Sequence, residues 1–108
     1  FCQQYAFDHI LVGDLSKESI KKGECYINLA EDDLVLILEK CISKNFQVGT
    51  DVGIISYNET PLKKFILNGI TTISTDFELM GKYAAQIIKG SETKQVEVPF
   101  YINIRPSI

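Results

Sequence analysis

The order of apolar and polar residues along the chain predicts alternating strands and helices. Apolar runs that end at turn residues predict four strands, at 9–14, 24–29, 52–57 and 70–74. Between the second and third runs, apolar residues recur at helical spacing from Leu34 to Ile42 and predict a helix over 32–44. A strand, a helix and a strand in this order form a βαβ unit, so the two strands should be parallel.

The C-terminal half continues this alternation. A short helix is predicted at 61–67, and an apolar stripe predicts a second long helix over 76–89. Thr75 and Glu78 have the spacing of a capping box at the start of that helix. Apolar and polar residues then alternate over 95–105, which is typical of a strand. We therefore expect an α/β fold in which helices flank a mostly parallel sheet.

The composition is that of one ordinary globular unit. The 108 residues are 45% hydrophobic and 23% charged, close to the average for folded domains. The 14 acidic residues against 11 basic ones give a formal net charge of -3, so this stretch is not expected to bind nucleic acid. Its longest apolar run, Leu34–Leu38, is far shorter than the roughly 20 residues of a membrane helix, so no membrane contact is expected.

Polar side chains follow four of the predicted strands, at the points where the strands end. They are Asp14, then Glu31 and Asp32, then Asn58 and Glu59, then Thr75 and Asp76. Ligands of open parallel sheets bind outside the carboxyl ends of the strands, so these positions mark a candidate site at one edge. Asp and Thr at such junctions also serve as helix caps and turn residues, which is the alternative interpretation. Capping explains Asn58 least well.

The sequence contains no recognisable catalytic, metal or redox motif. Cys2, Cys25 and Cys41 are widely spaced, and the single histidine, His9, precedes the first predicted strand, where it cannot complete a triad at the carboxyl edge. We expect Cys25 and Cys41 to be small buried side chains in a reducing compartment, the cytoplasm. No metal, no other cofactor and no enzymatic activity are expected.

Other charged residues do not change this picture. The glycines form no phosphate-binding loop, and Asp14 with Arg105 fits a phosphoacceptor receiver poorly. The pairs Lys21-Lys22 and Lys63-Lys64 are interpreted as solvated surface.

The stretch Val52–Ala85 resembles the C-terminal part of the effector-binding domain of lactose/galactose-repressor-type (LacI/GalR) regulators. It contains Val-Gly-Ile-Ile-Ser-Tyr-Asn-Glu-Thr-Pro-Leu and, further on, Gly-Ile-Thr-Thr-Ile-Ser-Thr-Asp-Phe. The segments Ala30–Leu34, Gly49–Gly53 and Arg105–Ser107 are similar to further motifs of this family, the first of them opening a helix. The Leu-Lys-Lys and Thr-Asp-Phe variants resemble the form that is fused behind a GntR-type winged helix.

The resemblance implies a periplasmic-binding-protein-like domain of two α/β lobes, of which this chain holds one lobe in part. In that domain the lobes close on a small ligand, usually a sugar. By position, Glu31, Asn58 and Thr75 would line the cleft and Phe77 would stand at the crossing between lobes, while Asp14 is added from the edge argument. The sequence departs from the family at two of these positions, because Asn58 replaces a common Asp and Glu31 replaces an Asn.

The resemblance also implies a division of the chain and a set of partners. Residues 1–75 would belong to the C-terminal lobe, 76–97 to the crossing helix and return, and 98–108 to the final strand. The chain, which begins without Met, is expected to be a fragment whose DNA-binding module lies upstream.

The function expected is ligand sensing and dimerisation in a bacterial transcription regulator. Surplus apolar residues predict a homodimer surface at Val35, Leu62, Phe65 and Ile66. The helix at 76–89 is expected to fold back on its own sheet or to pack against another copy, because most of its lobe would be absent. A solute-binding protein for sugar uptake and an α/β enzyme are the alternatives.

Overall fold

Four strands and two α-helices organise the described part of the chain. The computed structural model describes residues 4–6, 8–90 and 95–108. Strands β1 (Cys25–Asn28), β2 (Gly53–Tyr57), β3 (Thr71–Thr75) and β4 (Phe100–Asn103) form one sheet in that spatial order, with helices α1 (Glu31–Ser43) and α2 (Phe77–Lys89) after β1 and β3. β1, β2 and β3 are parallel and β4 is antiparallel to β3, which confirms the predicted α/β class. Neither helix has the length and apolar character needed to cross a membrane.

Helix α1 supplies most of the core. Glu31, Asp32 and Asp33 occupy its first turn, where the positive end of the helix dipole favours acidic side chains. Its apolar side packs against β2 and the segments that lead into β2 and β3. The buried cluster comprises Ile20, Leu34, Ile37, Cys41, Val52, Ile54 and Ile70. Full burial of one large aliphatic side chain contributes about 1.5–3 kcal/mol, so this cluster is the main apolar stabilisation of the sheet.

The link from β2 to β3 lies on the same face of the sheet as α1. The predicted short helix is present as two 3₁₀ turns, Pro61–Lys64 and Ile66–Asn68, and Ile66 packs against the core cluster. When parallel strands follow one another in the sheet, their right-handed crossovers lie on the same face of that sheet. The other face therefore has no helix over it within the described residues, and Ile27 and Ile102 are largely exposed there.

Cys25 and Cys41 lie on opposite faces of the sheet. Cys41 is buried in the core, as expected, but Cys25 is exposed on the open face opposite Gly53, so its expected burial is wrong. Removal from water raises the pKa of both thiols. Cys2 lies outside the described residues.

The predicted first strand is wrong. Residues 9–14 pair with no strand in the described ranges, and Ile10 and Leu11 are 81% and 93% exposed. Asp14 instead accepts a hydrogen bond from the Ser16 N–H at 3.1 Å and starts a 3₁₀ turn. The ammonium of Lys40, in the last turn of α1, donates to carbonyls of that turn. Asp14 therefore lies by the C-terminal end of α1, away from the carboxyl ends of the strands. The predicted strand does not form because an apolar run becomes a strand only where a partner strand is available.

Helix α2 forms where predicted but buries nothing. Its cap is Asp76, whose carboxylate accepts the Leu79 N–H at 2.8 Å, whereas Thr75 is the buried last residue of β3, so the expected capping box is wrong. No side chain of α2 is buried, and Phe77 and Ile88 are exposed. The expectation that this helix folds back on its own sheet is therefore wrong. Packing against another copy stays a prediction.

The C-terminal residues return to the start of the sheet and join β2 to β3. β4 occupies only 100–103 of the predicted 95–105. Beyond it, the Ser107 hydroxyl donates to the Ile54 carbonyl at 2.6 Å and accepts the Thr71 N–H at 2.7 Å. The Ile54 N–H donates to the Ser107 carbonyl at 2.7 Å, so this buried serine bridges two strands.

Glu59 and Arg105 tie the end of β2 to β4. The guanidinium donates to both carboxylate oxygens at 3.0 Å and to the Ile70 carbonyl at 2.7 Å. The Thr72 hydroxyl and the Asn103 amide also donate to Glu59. Burial alone would raise the pKa of the Glu59 carboxyl, but hydrogen bonds from Arg105 and Thr72 hold that pKa below its ordinary value.

We expect Ser107→Ala to lower the free energy of unfolding by about 1–3 kcal/mol, since it leaves the buried Thr71 N–H without its acceptor. Urea denaturation of the intact protein measures the loss. Ser16→Ala, which removes an exposed hydroxyl, is the matched control and should have a small effect. Equal losses for the two variants would contradict the bridging role of Ser107.

We expect Glu59→Gln to cost about 3 kcal/mol, because it breaks a largely buried ion pair. The folded-state pKa of Glu59 is lowered, so its contribution is complete above the unfolded-state pKa and is lost as pH falls through the folded-state value. Unfolding measured over acidic pH should therefore show a larger loss of stability in the wild type than in the variant. Glu78→Gln, which breaks an exposed pair with Lys82, is the control, and an equal effect of both substitutions would contradict this account.

Candidate ligand-binding site

Three of the five predicted site residues lie together at one edge of the sheet. Glu31 opens α1 shortly after β1, Asn58 directly follows β2, and Thr75 ends β3. These strands are parallel neighbours, and adjacent strands lie about 4.8 Å apart, so the three positions are side by side. Phe77 follows at the start of α2, and Asp14 is not part of this edge. The binding role of all five residues stays a prediction.

Lys63 belongs to this edge, although the Lys63-Lys64 pair predicts solvated residues. Its side chain is 1% exposed, so that interpretation is wrong. Its ammonium lies 2.7 Å from Glu31 Oε1 and donates to the carbonyls of Tyr57 at 2.9 Å and Asn58 at 2.7 Å. An ammonium has three N–H donors, and each has an acceptor here, which is what burial of this charge requires.

Asn58 adopts a left-handed backbone conformation with a φ of 61°. Asparagine is among the few residues that tolerate this region. The bend at Asn58 directs the chain from β2 into the 3₁₀ turn Pro61–Lys64. Both backbone groups of Asn58 are hydrogen-bonded: the N–H donates to the Ile73 carbonyl, and the carbonyl accepts from the Lys63 ammonium. The side-chain Oδ1 is buried and has no hydrogen-bond partner among the described residues. It is therefore an acceptor that the described residues leave unsatisfied at this edge.

Aromatic residues also lie at the carboxyl edge of the sheet. Register pairs Phe100, the first residue of β4, with Thr75, and its ring centroid lies 6.3 Å from that of Tyr57. Phe100 is 62% exposed, and Phe77, two residues after Thr75 in the chain, is exposed as well. Apolar rings next to a few oriented polar groups are typical of small-molecule sites. The sequence did not indicate Tyr57 or Phe100, because only the antiparallel register of β4 brings them together.

The carboxylate of Glu59, which the sequence also places after β2, is not available to a ligand. Both of its oxygens accept hydrogen bonds from Arg105, and one of them also accepts from Thr72 and Asn103. Glu31 differs, because among the described residues only its Oε1 has a partner, and its side chain is 58% exposed.

In residues 4–6, 8–90 and 95–108, no group of three or more His, Cys, Asp or Glu side chains could hold a metal ion. The opposite, amino edge of the sheet has an open depression of about 290 Å³, which Gly23, Cys25, Gly49 and Ile108 help to line. None of the predicted site residues borders it.

No protein-family model matches the sequence, and no curated protein sequence matches it. Solved structures do. A transcription repressor of the LacI family from Corynebacterium glutamicum is 26% identical, with a TM-score of 0.64 over 77% of this chain and 34% of its own. A PurR-family transcriptional regulator from Vibrio parahaemolyticus is 24% identical, with a TM-score of 0.66 over 86% and 34%.

A LacI-family transcriptional regulator from Lactobacillus casei, solved with bound glucose, is 18% identical and has a TM-score of 0.63 over 78% of this chain and 32% of its own. The chain thus spans about a third of the length of these structures. The resemblance read from the sequence is confirmed at the level of the fold: the chain is built like one part of the LacI/PurR-type transcriptional regulators, a partial periplasmic-binding-protein-like lobe.

Proposed function

We propose that this chain is the ligand-sensing and dimerisation part of a bacterial transcription regulator, and that it binds a small sugar at the carboxyl edge of its sheet. The observation that carries the proposal is the free Oδ1 of Asn58, a buried acceptor without a partner among the described residues. Sugar hydroxyls are hydrogen-bond donors that such an acceptor can bind. Exposed Phe100 and Phe77 supply apolar rings for the faces of the sugar.

Two further observations support this assignment. One carboxylate oxygen of Glu31 has no partner within the described residues, which adds a second acceptor at the same edge. The fold is shared with transcriptional regulators, one of which, from Lactobacillus casei, was solved with glucose bound. In this proposal Thr75 lines the site on the side of Asn58 away from Glu31. Asp14 is not included, since it lies at the other end of α1.

The separation of α2 from the sheet supports the proposed division of the chain. A helix that buries no side chain in this lobe, yet exposes Phe77, Met80 and Ile88, is suited to pack in a second lobe. In this proposal residues 1–75 and 98–108 belong to one lobe, and residues 76–97 cross to the other one. DNA contact would come from a part outside this chain, and the GntR-type winged helix stays a prediction, as does the cytoplasmic location.

The proposed dimer surface lies on α1 and the adjoining 3₁₀ turn. Val35, Leu62 and Phe65 are exposed apolar side chains there, and Phe65 is the most exposed of the three. Ile66, which the sequence also suggested, packs against the core instead. A second copy that covers this patch would remove it from water, as in a two-fold interface.

We expect Asn58→Gly to weaken sugar binding by about 1–3 kcal/mol, because it removes the free acceptor while glycine keeps the left-handed backbone. Titration calorimetry of the intact protein with neutral monosaccharides, beginning with glucose, measures the change. Asn45→Gly is the matched control, since Asn45 has a similar φ of 54° and lies after the C-terminal end of α1. Equal weakening in both variants, or no sugar binding by the wild type, would count against the proposed function.

A further inference from the structure

The pair formed by Glu31 and Lys63 combines a buried cation with an exposed anion. Lys63 is the only buried lysine in the described ranges, whereas more than half of the Glu31 side chain is open to solvent. Glu31 Oε1 lies 2.7 Å from the ammonium nitrogen, and Oε2 has no partner among the described residues. The carboxylate is therefore held by one oxygen and presents the other at the carboxyl edge.

The ammonium also fixes the backbone on which Asn58 stands. Its bonds to the Tyr57 and Asn58 carbonyls join the end of β2 to the first 3₁₀ turn after it. One lysine thus contacts both of the chain segments that supply acceptors to the proposed site. A neutral donor could satisfy the two carbonyls, but it would leave Glu31 as an unbalanced negative charge.

That charge decides which ligands the edge can accept. With Lys63 present, the pair has no net charge, and Glu31 acts as a hydrogen-bond acceptor for hydroxyl groups. Without Lys63, the same carboxylate would attract a cationic ligand, and an attraction between charges several ångströms apart near a protein surface is large enough to change affinities about tenfold.

We propose that Lys63 is the positioning residue that makes this edge select uncharged, polyhydroxylated ligands over cationic ones. It does so by balancing the charge of Glu31 while aligning Glu31 and Asn58 from beneath the site. This inference rests on the proposed function, because it concerns the same edge.

The test compares a neutral sugar with its amine counterpart. Calorimetry of the intact protein at slightly acidic pH, where the amine is protonated, gives the Kd values of glucose and glucosamine. Lys63→Met leaves Glu31 unbalanced, so the ratio of the two affinities should move about tenfold toward glucosamine. Glu31→Gln leaves Lys63 unbalanced, so the same ratio should move away from glucosamine.

Lys64→Met is the matched control, because Lys64 is the exposed neighbour with the same charge, and it should leave the ratio unchanged. A merely structural role for Lys63 would weaken both ligands together and would not shift the ratio in opposite directions for the two variants. If Lys63→Met fails to fold, Glu31→Gln, at an exposed position, still gives a shift of known sign.

The outcomes separate the two claims. A wild type that binds glucose, with a ratio that neither Lys63→Met nor Glu31→Gln moves, overturns the inference about Lys63 and leaves the proposed function standing. A wild type that binds neither sugar contradicts the proposed function, and the inference that rests on it falls as well.

Discussion

The parallel alignment of β1, β2 and β3 is the constraint on which the rest of the structure depends. Parallel neighbours require crossovers, and right-handed crossovers place α1 and the 3₁₀ turns on one face of the sheet. That face closes around Leu34, Ile37 and Ile54. The same alignment brings the carboxyl ends of three strands to one edge, so the core and the candidate site have a common origin.

The face of the sheet that α1 covers is apolar toward the amino edge and polar toward the carboxyl edge. Ile54 and Ile70 lie under α1 toward the amino edge, whereas one step further along the strands the register aligns polar side chains across the whole sheet. This polar row consists of Asn28, Ser56, Thr72 and Asn103. Thr72 and Asn103, at one end of the row, donate to Glu59, whereas the Asn28 Oδ1 and Ser56 Oγ atoms are buried without partners among the described residues. The apolar half stabilises the sheet, and the polar half leads to the edge at which Asn58 and Glu31 lie.

The sequence predicted those parts of the fold that depend on local pattern. The spacing from Leu34 to Ile42 was enough for α1, and the residue after each parallel strand was enough to bring Glu31, Asn58 and Thr75 together. The run at 9–14 was misleading, since an apolar pattern shows a tendency toward burial but does not supply a partner strand.

Contacts between distant segments could not be predicted from pattern. Lys63 in a Lys-Lys pair is typical of surface, and only the fold brings it to Glu31. The contact of Tyr57 with Phe100 likewise depends on the register of β4, which nothing local determines. Asp76 and Thr75 are both good capping residues, and the choice between them followed from where β3 ends.

The central claim is that a small sugar binds at the carboxyl edge of this sheet, and hydrogen exchange of the intact protein with and without glucose tests it most directly. The account predicts slower exchange on addition of glucose at 31–34, 58–60 and 75–79, the segments that follow the three parallel strands. Slower exchange confined to 23–25 and 49–53, which border the depression at the amino edge, would contradict it, as would no change in any of these segments.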